Sequence, residues 1–134
     1  MTQTNHQLVR DFFAGLSRGE LVDALLTPDM TMWTASSGTS EKARFAMGIK
    51  LLASIFSGGA TYTVDSLTAD DDRVAAEVHA DGVLVNGEVY ANQYVFMFRI
   101  RDGRIASVAE HTNVALVREK LGPLLAAAMA KAQG

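Results

Sequence analysis

The chain contains no cysteine, which excludes disulfide bonds, thiolate metal sites and a cysteine nucleophile. No apolar run approaches the roughly 20 residues that a membrane span requires. The 12 basic residues are outnumbered by 15 acidic ones and form no stripe that could follow a phosphate backbone. The N-terminus lacks the charged-then-apolar layout of a signal peptide. We therefore expect a soluble, cytoplasmic protein with no nucleic-acid or membrane partner.

Motifs for metal and phosphate binding are missing as well. The three histidines, His6, His79 and His111, do not have ligand spacing. The aspartates at 70–72 lack the surrounding pattern of a calcium loop and predict a solvated turn. The sequence contains neither a glycine-rich phosphate loop nor a nucleophile elbow. It therefore predicts no metal site and no cofactor.

What is present favours one folded domain. The chain has 134 residues, of which 49% are apolar and 20% charged, and no segment has low complexity. A chain of this length can bury a substantial core, and no linker or internal repeat divides it. The sequence predicts a single domain over residues 1–134.

The first half of the chain has helical spacing. The apolar pattern predicts a helix over 7–17, a short second helix over 20–26, a brief strand over 30–34 and a third helix over about 41–57. Residues 35–40 read as a loop, with Ser40 as a cap for the third helix. Gly58 and Gly59 are expected to terminate that helix.

From residue 60 onward the apolar residues recur with a period of two, which is typical of β-strands. Strands are predicted over 61–67, 73–85, 90–101 and 105–112, followed by a helical tail from 114 that is interrupted at Gly122-Pro123. Asn86-Gly87 and Asp102-Gly103 are hairpin signals, and a bulge is expected at Asp81-Gly82. Helices followed by an antiparallel meander predict an α+β fold, with the helices on one face of a curved sheet.

The predicted strand at 90–101 carries an unusual row of side chains on one face: Tyr90, Asn92, Tyr94, Phe96 and Phe98. Alternate residues of a strand share a face. A row that grades from phenol and amide into bare aromatic rings is typical of a cavity wall with a polar mouth. It indicates a small-molecule site but does not define a reaction.

Several short motifs, in order, resemble the cone-shaped fold shared by nuclear transport factor 2, ketosteroid isomerase and SnoaL-like polyketide cyclases. These motifs are Gly19-Glu20-Leu21, Leu26-Thr-Pro-Asp29, Val74-Ala-Ala-Glu77, Asn86-Gly-Glu-Val-Tyr-Ala-Asn-Gln-Tyr94, Arg101-Asp-Gly-Arg-Ile105 and Ala109-Glu-His-Thr-Asn113. The resemblance covers most of the chain. It implies a curved mixed or antiparallel sheet wrapped around N-terminal helices, and a homodimer formed through the sheet.

The resemblance also indicates which chemistry is missing. Phe12, Thr34 and Phe96 occupy the positions where ketosteroid isomerase has its first-helix tyrosine and its two aspartates. Steroid isomerisation by that route is therefore not expected. SnoaL-like proteins use an acidic residue on the last strand, where this chain offers Glu110 and, as an amide replacement, Asn113. The same alignment places Glu77 and His79 in the cavity.

Each candidate has a second interpretation. Glu110 is either an acid/base residue or a structural hydrogen-bond acceptor for Tyr94 or Asn92. The alternation of Val74, Ala76, Val78 and Ala80 favours a solvated face for Glu77 and His79, whereas the resemblance favours the cavity. His111 is expected in a dimer interface or in packing, and Trp33 likewise. Asn113 is expected to cap the final helix.

Two functions follow as hypotheses. The first is a cofactor-independent enzyme that acts on a small, apolar, oxygenated molecule by isomerisation, cyclisation, dehydration or hydrolysis. Glu110 or Glu77 would serve as the acid/base and His79 as its partner, because a carboxyl group in an apolar cavity has a pKa near the working range. Substrate contacts are expected from Asn92, Tyr94, Tyr90, Phe96, Phe12, Met32, Thr34 and Thr112. The second is a non-catalytic ligand-binding or dimeric assembly domain.

Overall fold

The computed structural model describes residues 4–133. Within that range the elements are α1 (Asn5–Ser17), a 3₁₀ turn (Asp23–Leu25), β1 (Leu26–Thr34), β2 (Gly38–Glu41), α2 (Lys42–Ser54), β3 (Phe56–Asp70), β4 (Arg73–Leu84), β5 (Val89–Arg101), β6 (Arg104–Thr112), α3 (Val114–Lys120) and α4 (Gly122–Gln133). No helix in this range is long and apolar enough to cross a membrane.

The six strands form one curved, unclosed sheet in the order β2-β1-β6-β5-β4-β3. Strands β3 to β6 are a meander of antiparallel neighbours, and β1 joins it by pairing parallel to β6. The predicted α+β class, with a mixed sheet around N-terminal helices, is confirmed. One face of the sheet, the inner face, is buried and the other, the outer face, is exposed, because alternate residues of a strand point to opposite faces. The alternation is strictest in β5, where buried and exposed residues alternate along the whole strand.

Helix α1 packs on this inner face because its apolar residues recur at helical spacing. Thr4 caps the helix by accepting a hydrogen bond from the Gln7 amide at 3.1 Å. The Phe13 ring lies 4.9 Å from the Phe96 ring and the Phe12 ring 5.3 Å from the Phe98 ring, both edge-to-face. Aromatic pairs of this geometry stabilise a core beyond the area they bury. They hold α1 against β5 at one end of the inner face.

The structure corrects three element boundaries. Helix α2 ends at Ser54, and Gly58 and Gly59 lie inside β3, where both have positive φ. Ser57 pairs with Val83 and Ala60 with Gly82, so Gly58 and Gly59 are two extra residues on β3. The bulge expected at Asp81-Gly82 of β4 is therefore on the neighbouring strand β3. Strand β1 starts four residues before the prediction, and its register shift between Leu26 and Thr31 accommodates Pro28.

Strand β2 was not predicted, because Gly38–Glu41 has no strand pattern of its own and forms through pairing with β1. Ser40 therefore lies in a strand, and α2 begins after Glu41 without a side-chain cap. The prediction that Asn113 caps the helix after β6 is confirmed, since its side chain accepts a hydrogen bond from the Leu116 amide at 3.3 Å. Helices α3 and α4 then return over the sheet, and α4 packs against α2.

Candidate functional site

A cavity of about 410 Å³ lies between the inner face of the sheet and helices α2 and α4, a volume typical of small-molecule sites. Its walls are mostly apolar and comprise Leu16, Met32, Phe45, Ile49, Leu51, Leu52, Phe96, Leu125 and Met129. Its polar lining comprises Thr34, Ser36, Ser37, Ser40, Arg44, Tyr62 and Glu110. Of the predicted contact residues, Met32, Thr34 and Phe96 thus line the cavity.

Glu110 is the carboxyl group of this cavity. It projects inward from β6, with Thr34 of β1 and Phe96 of β5 as its neighbours across the sheet. Burial raises its pKa from the ordinary range to about 7, because the charged form is poorly solvated there. Within residues 4–133 no group donates a hydrogen bond to it. The structural role considered for Glu110, as acceptor for Tyr94 or Asn92, is therefore not observed.

Tyr62 is a cavity residue that the sequence did not single out. It lies on β3, and the Ser17 hydroxyl holds its backbone by accepting a hydrogen bond from the Tyr62 amide at 2.9 Å. Burial, together with the negative charge of Glu110, raises the pKa of the Tyr62 phenol, so it stays protonated. Its place in the cavity depends on the pairing of β3 with β4, in which Tyr62 lies opposite Ala80. The sequence signal for it was its position in the strand predicted over 61–67.

The polar residues of the β5 row form a hydrogen-bonded chain among themselves. The Tyr90 and Tyr94 hydroxyls lie 2.6 Å apart, and the Asn92 amide donates to the Tyr90 hydroxyl at 2.9 Å. The same amide donates to the Asn113 carbonyl at 3.4 Å. All three side chains are buried and none lines the 410 Å³ cavity. The expectation that Tyr90, Asn92 and Tyr94 form the cavity wall is therefore wrong for this cavity, because they satisfy one another.

The cavity mouth is built by the β1–β2 turn and the start of α2. The Thr34 hydroxyl lies 2.6 Å from that of Ser37 and accepts a hydrogen bond from the Ser37 amide at 3.1 Å. The Ser36 hydroxyl lies 3.4 Å from the same oxygen. Arg44, in the first turn of α2, completes this polar rim.

The comparisons with known proteins agree with this architecture. Residues 9–108 match the family model of the SnoaL-like domain. The chain belongs to the SnoaL-like family. The matched range ends two residues before Glu110, so the family assignment stands on the helices and strands that precede the candidate acid. No curated protein matches the chain significantly.

Solved structures share the SnoaL-like fold. An NTF2-like protein from Anabaena variabilis has a TM-score of 0.72 and 25% identity, with 84% of this chain and 94% of that one covered. IdmH from Streptomyces antibioticus, a proposed polyketide cyclase, has a TM-score of 0.76 and 18% identity, with 90% and 99% covered. A protein with a ketosteroid isomerase-like fold from Catenulispora acidiphila, in complex with trimethylamine, has a TM-score of 0.75 and 16% identity, with 89% and 95% covered.

The placement of Glu77 and His79 in the cavity, expected from the SnoaL-like resemblance, is wrong. Both project from the outer face of β4, because Val74, Ala76, Val78 and Ala80 occupy its inner face. Glu77 accepts a hydrogen bond from the Ser66 hydroxyl at 2.6 Å. His79 lies 2.9 Å from the Asp65 carboxylate, and that contact raises the pKa of the imidazole. Neither group reaches Glu110.

The remaining candidates of the SnoaL-like site have other roles. Phe12 is buried against Phe98 in the core and does not line the cavity. Thr112 is on the inner face, but its hydroxyl donates to the Gln93 carbonyl at 2.6 Å. His111 projects from the outer face, where its ring lies 5.1 Å from Trp33. The chemistry of the cavity therefore centres on Glu110, Tyr62 and Thr34.

Proposed function

We propose that this SnoaL-like domain is a cofactor-independent enzyme that moves a proton on a small, apolar, oxygenated molecule. The observation that carries the proposal is Glu110, a carboxyl group in a mostly apolar cavity whose pKa burial raises to about 7. A group with this pKa exists in both protonation states near neutral pH, which is the condition for general acid/base catalysis.

The surroundings of Glu110 suit proton abstraction next to a carbonyl group. The substrate C–H bond breaks, its proton forms an O–H bond with Glu110, and the electron pair moves onto the substrate oxygen. Tyr62, whose hydroxyl has no hydrogen-bond partner in the described chain, is available to donate to that oxygen. Return of the proton to another carbon gives isomerisation, and attack of the enolate carbon on a second carbonyl gives cyclisation. Dehydration and hydrolysis use the same group as an acid or base.

The proposal assigns no chemistry to Glu77 or His79, since both lie on the opposite face of the sheet. This placement makes Glu77 a matched control for Glu110. Both are glutamates on central strands, and the same change to glutamine removes the carboxylate from the cavity in one case and from the outer face in the other.

Exchange of carbon-bound protons for deuterium tests the proposal without knowledge of the natural substrate. The probe is 2-tetralone in D₂O, followed by proton NMR, because its α-protons are acidic and its body is apolar. We expect the protein to accelerate exchange, Glu110→Gln to reduce the acceleration by at least 100-fold and Glu77→Gln to leave it unchanged. Equal rates for wild type and Glu110→Gln, with both variants folded, would contradict the proposal.

A binding module is the second candidate function, and one observation favours it. The hydroxyl of Tyr94 is hydrogen-bonded to Tyr90 and not to Glu110, so the carboxyl group lacks a fixed proton partner. In this case the cavity holds an apolar ligand and 2-tetralone binds without exchange. Binding measured by NMR line broadening, in the absence of exchange, would identify this function.

We further propose that the outer sheet face pairs with a second copy of the chain in the cytoplasm. Trp33 on β1 is 37% exposed on that face, and Val95 and Met97 on β5 are 41% and 39% exposed. Strand β6 lies between these two strands, and together the three side chains form an apolar patch that a dimer would cover. A molar mass of two chains by light scattering is the expected result. A monomer at micromolar concentration would overturn this part of the proposal.

A further inference from the structure

The cavity contains one charged group of each sign among its described lining residues. Glu110 supplies the negative group on the sheet, and Arg44 supplies the positive group at the start of α2. The two belong to different regions of the cavity, because Glu110 lies within the sheet and Arg44 on the exposed rim. A guanidinium at the mouth of an apolar cavity is a natural binding group for an anion.

Arg44 is not occupied by an internal partner. No carboxylate in residues 4–133 lies within ion-pair distance of it. Lys42, two residues earlier on the same helix, differs in this respect, since its ammonium group lies 2.6 Å from Asp23. The five donors of Arg44 therefore point at solvent or at whatever enters the cavity.

Hydroxyl groups surround the same rim. Ser36, Ser37 and Ser40 line the cavity together with Arg44. The Ser40 hydroxyl, on the half-buried side of β2, has no hydrogen-bond partner in the described chain. Hydroxyl donors next to a guanidinium add to carboxylate binding, because charge-assisted hydrogen bonds are the stronger ones.

The apolar part of the cavity extends away from this rim along α2. The lining face of α2 runs from Arg44 and Phe45 to Leu51 and Leu52, about 12 Å at 1.5 Å per residue. Leu125 and Met129 of α4 add two more apolar side chains to the lining. The cavity therefore has a polar, cationic rim, and beyond it a mostly apolar lining that also includes Glu110 and Tyr62.

We propose that the ligand of this cavity is an amphipathic carboxylate, with its anionic group bound by Arg44 and its apolar body lying along α2. Arg44 is then a specificity-determining residue that selects acids over neutral analogues. The inference rests on the proposed function only in calling this ligand a substrate. When the ligand binds in this way, its reacting carbon lies beside Glu110 and its carboxylate lies nearer the rim.

Calorimetric binding of octanoate and its neutral amide, octanamide, tests the inference. The titrations are run at pH 6, where octanoate is ionised and Glu110 is largely protonated. We expect wild type to bind octanoate about tenfold more tightly than octanamide. Arg44→Met should reduce this preference to less than twofold, and Arg44→Lys, which keeps the charge without the planar fork, should retain part of it.

Lys50→Met is the matched control. Lys50 lies on the same helix and is also exposed, but it borders a separate groove. Its change to methionine alters the net charge as Arg44→Met does, so it should leave the preference at the wild-type value. A preference equally reduced in both variants, equal binding of the two probes by wild type, or no binding of either would overturn the inference.

The exchange assay separates this inference from the proposed function. If Arg44 sets the preference but Glu110→Gln exchanges protons as wild type does, the ligand class is supported and the enzymatic proposal is lost. If exchange depends on Glu110 but Arg44→Met keeps the wild-type preference, the enzymatic proposal stands and the carboxylate anchor is refuted.

Discussion

The clearest consequence of the buried carboxyl group is a change of stability with pH that the Glu110→Gln variant removes. The pKa of Glu110 rises from 4.5 in an unperturbed chain to about 7 in the folded protein. The folded state thus binds the proton more tightly than the unfolded state does. The free energy of unfolding contributed by this group is therefore highest below pH 4.5 and falls as the pH rises toward 7.

The size of the effect follows from the shift. Each pKa unit corresponds to about 1.4 kcal/mol, so ionisation of Glu110 costs on the order of 3 kcal/mol of stability above pH 7. Glutamine has nearly the same shape and does not ionise. We expect Glu110→Gln to unfold at the same urea concentration as wild type near pH 4.5, and to be the more stable protein at pH 8 by a few kcal/mol.

Urea unfolding followed by circular dichroism at pH 4.5, 6, 7 and 8 measures this difference. Other titrating groups are common to both proteins and cancel when the two free energies of unfolding are subtracted. Glu77→Gln, on the outer face, should show no comparable gain at pH 8. A difference between Glu110→Gln and wild type that is constant with pH, or a less stable variant at pH 8, would refute the argument. The carboxylate would then have a stabilising partner in the folded state.

Two further predictions concern the outer face and the bulge. Val95→Arg should give a monomeric protein by light scattering, because it places a charge on β5 next to Met97 and opposite His111 in the proposed interface; a dimer that survives this change would place the contact elsewhere. Gly82→Ala should lower the free energy of unfolding in urea by about 1–3 kcal/mol, since an added Cβ would lie 2.8 Å from the Phe56 ring. An unchanged urea midpoint would show that this ring moves freely.

The sheet could be predicted from the sequence because its signals are local. The period-two pattern of β5 and the Asn86-Gly87 and Asp102-Gly103 turns each specify structure over a few residues. Gly58 and Gly59 were assigned to a helix end because glycine with positive φ serves both helix ends and bulges. Only the pairing of β3 with β4 decides between the two, and that pairing is not local.

The candidate site was predicted less completely, and the case of Glu77 and His79 shows why. The apolar alternation on β4 indicated the outer face for both, which the structure bears out, whereas the family resemblance indicated the cavity. Local alternation was the better guide, because a one-residue change of register exchanges the two faces of a strand. Tyr62 and Arg44 could not be found in this way, since only the packing of α2 and β3 around one cavity makes them line the same space as Glu110.

Thr34 and Phe96 lie on either side of Glu110 in the sheet. The resemblance to ketosteroid isomerase assigns carboxylates to these two positions, and both residues are cross-strand neighbours of Glu110. Glu110 is thus the only carboxyl group of β6, and neither of these two neighbours carries one. Among the described residues that line the cavity, Glu110 is the only carboxyl group, so the Glu110→Gln experiments remove every carboxylate that this part of the structure offers.

Helix α4 covers the cavity but contributes no ionisable side chain to its described lining. The described side chains that α4 contributes to the lining are Leu125 and Met129, both apolar, while the ionisable groups come from β3, β6 and α2. Substitutions in α4 can therefore enlarge or narrow the ligand space without altering the proton-transfer group or the carboxylate anchor. On this side of the cavity, the room for a ligand can change through Leu125 and Met129 alone, on a helix that carries neither Glu110 nor Arg44.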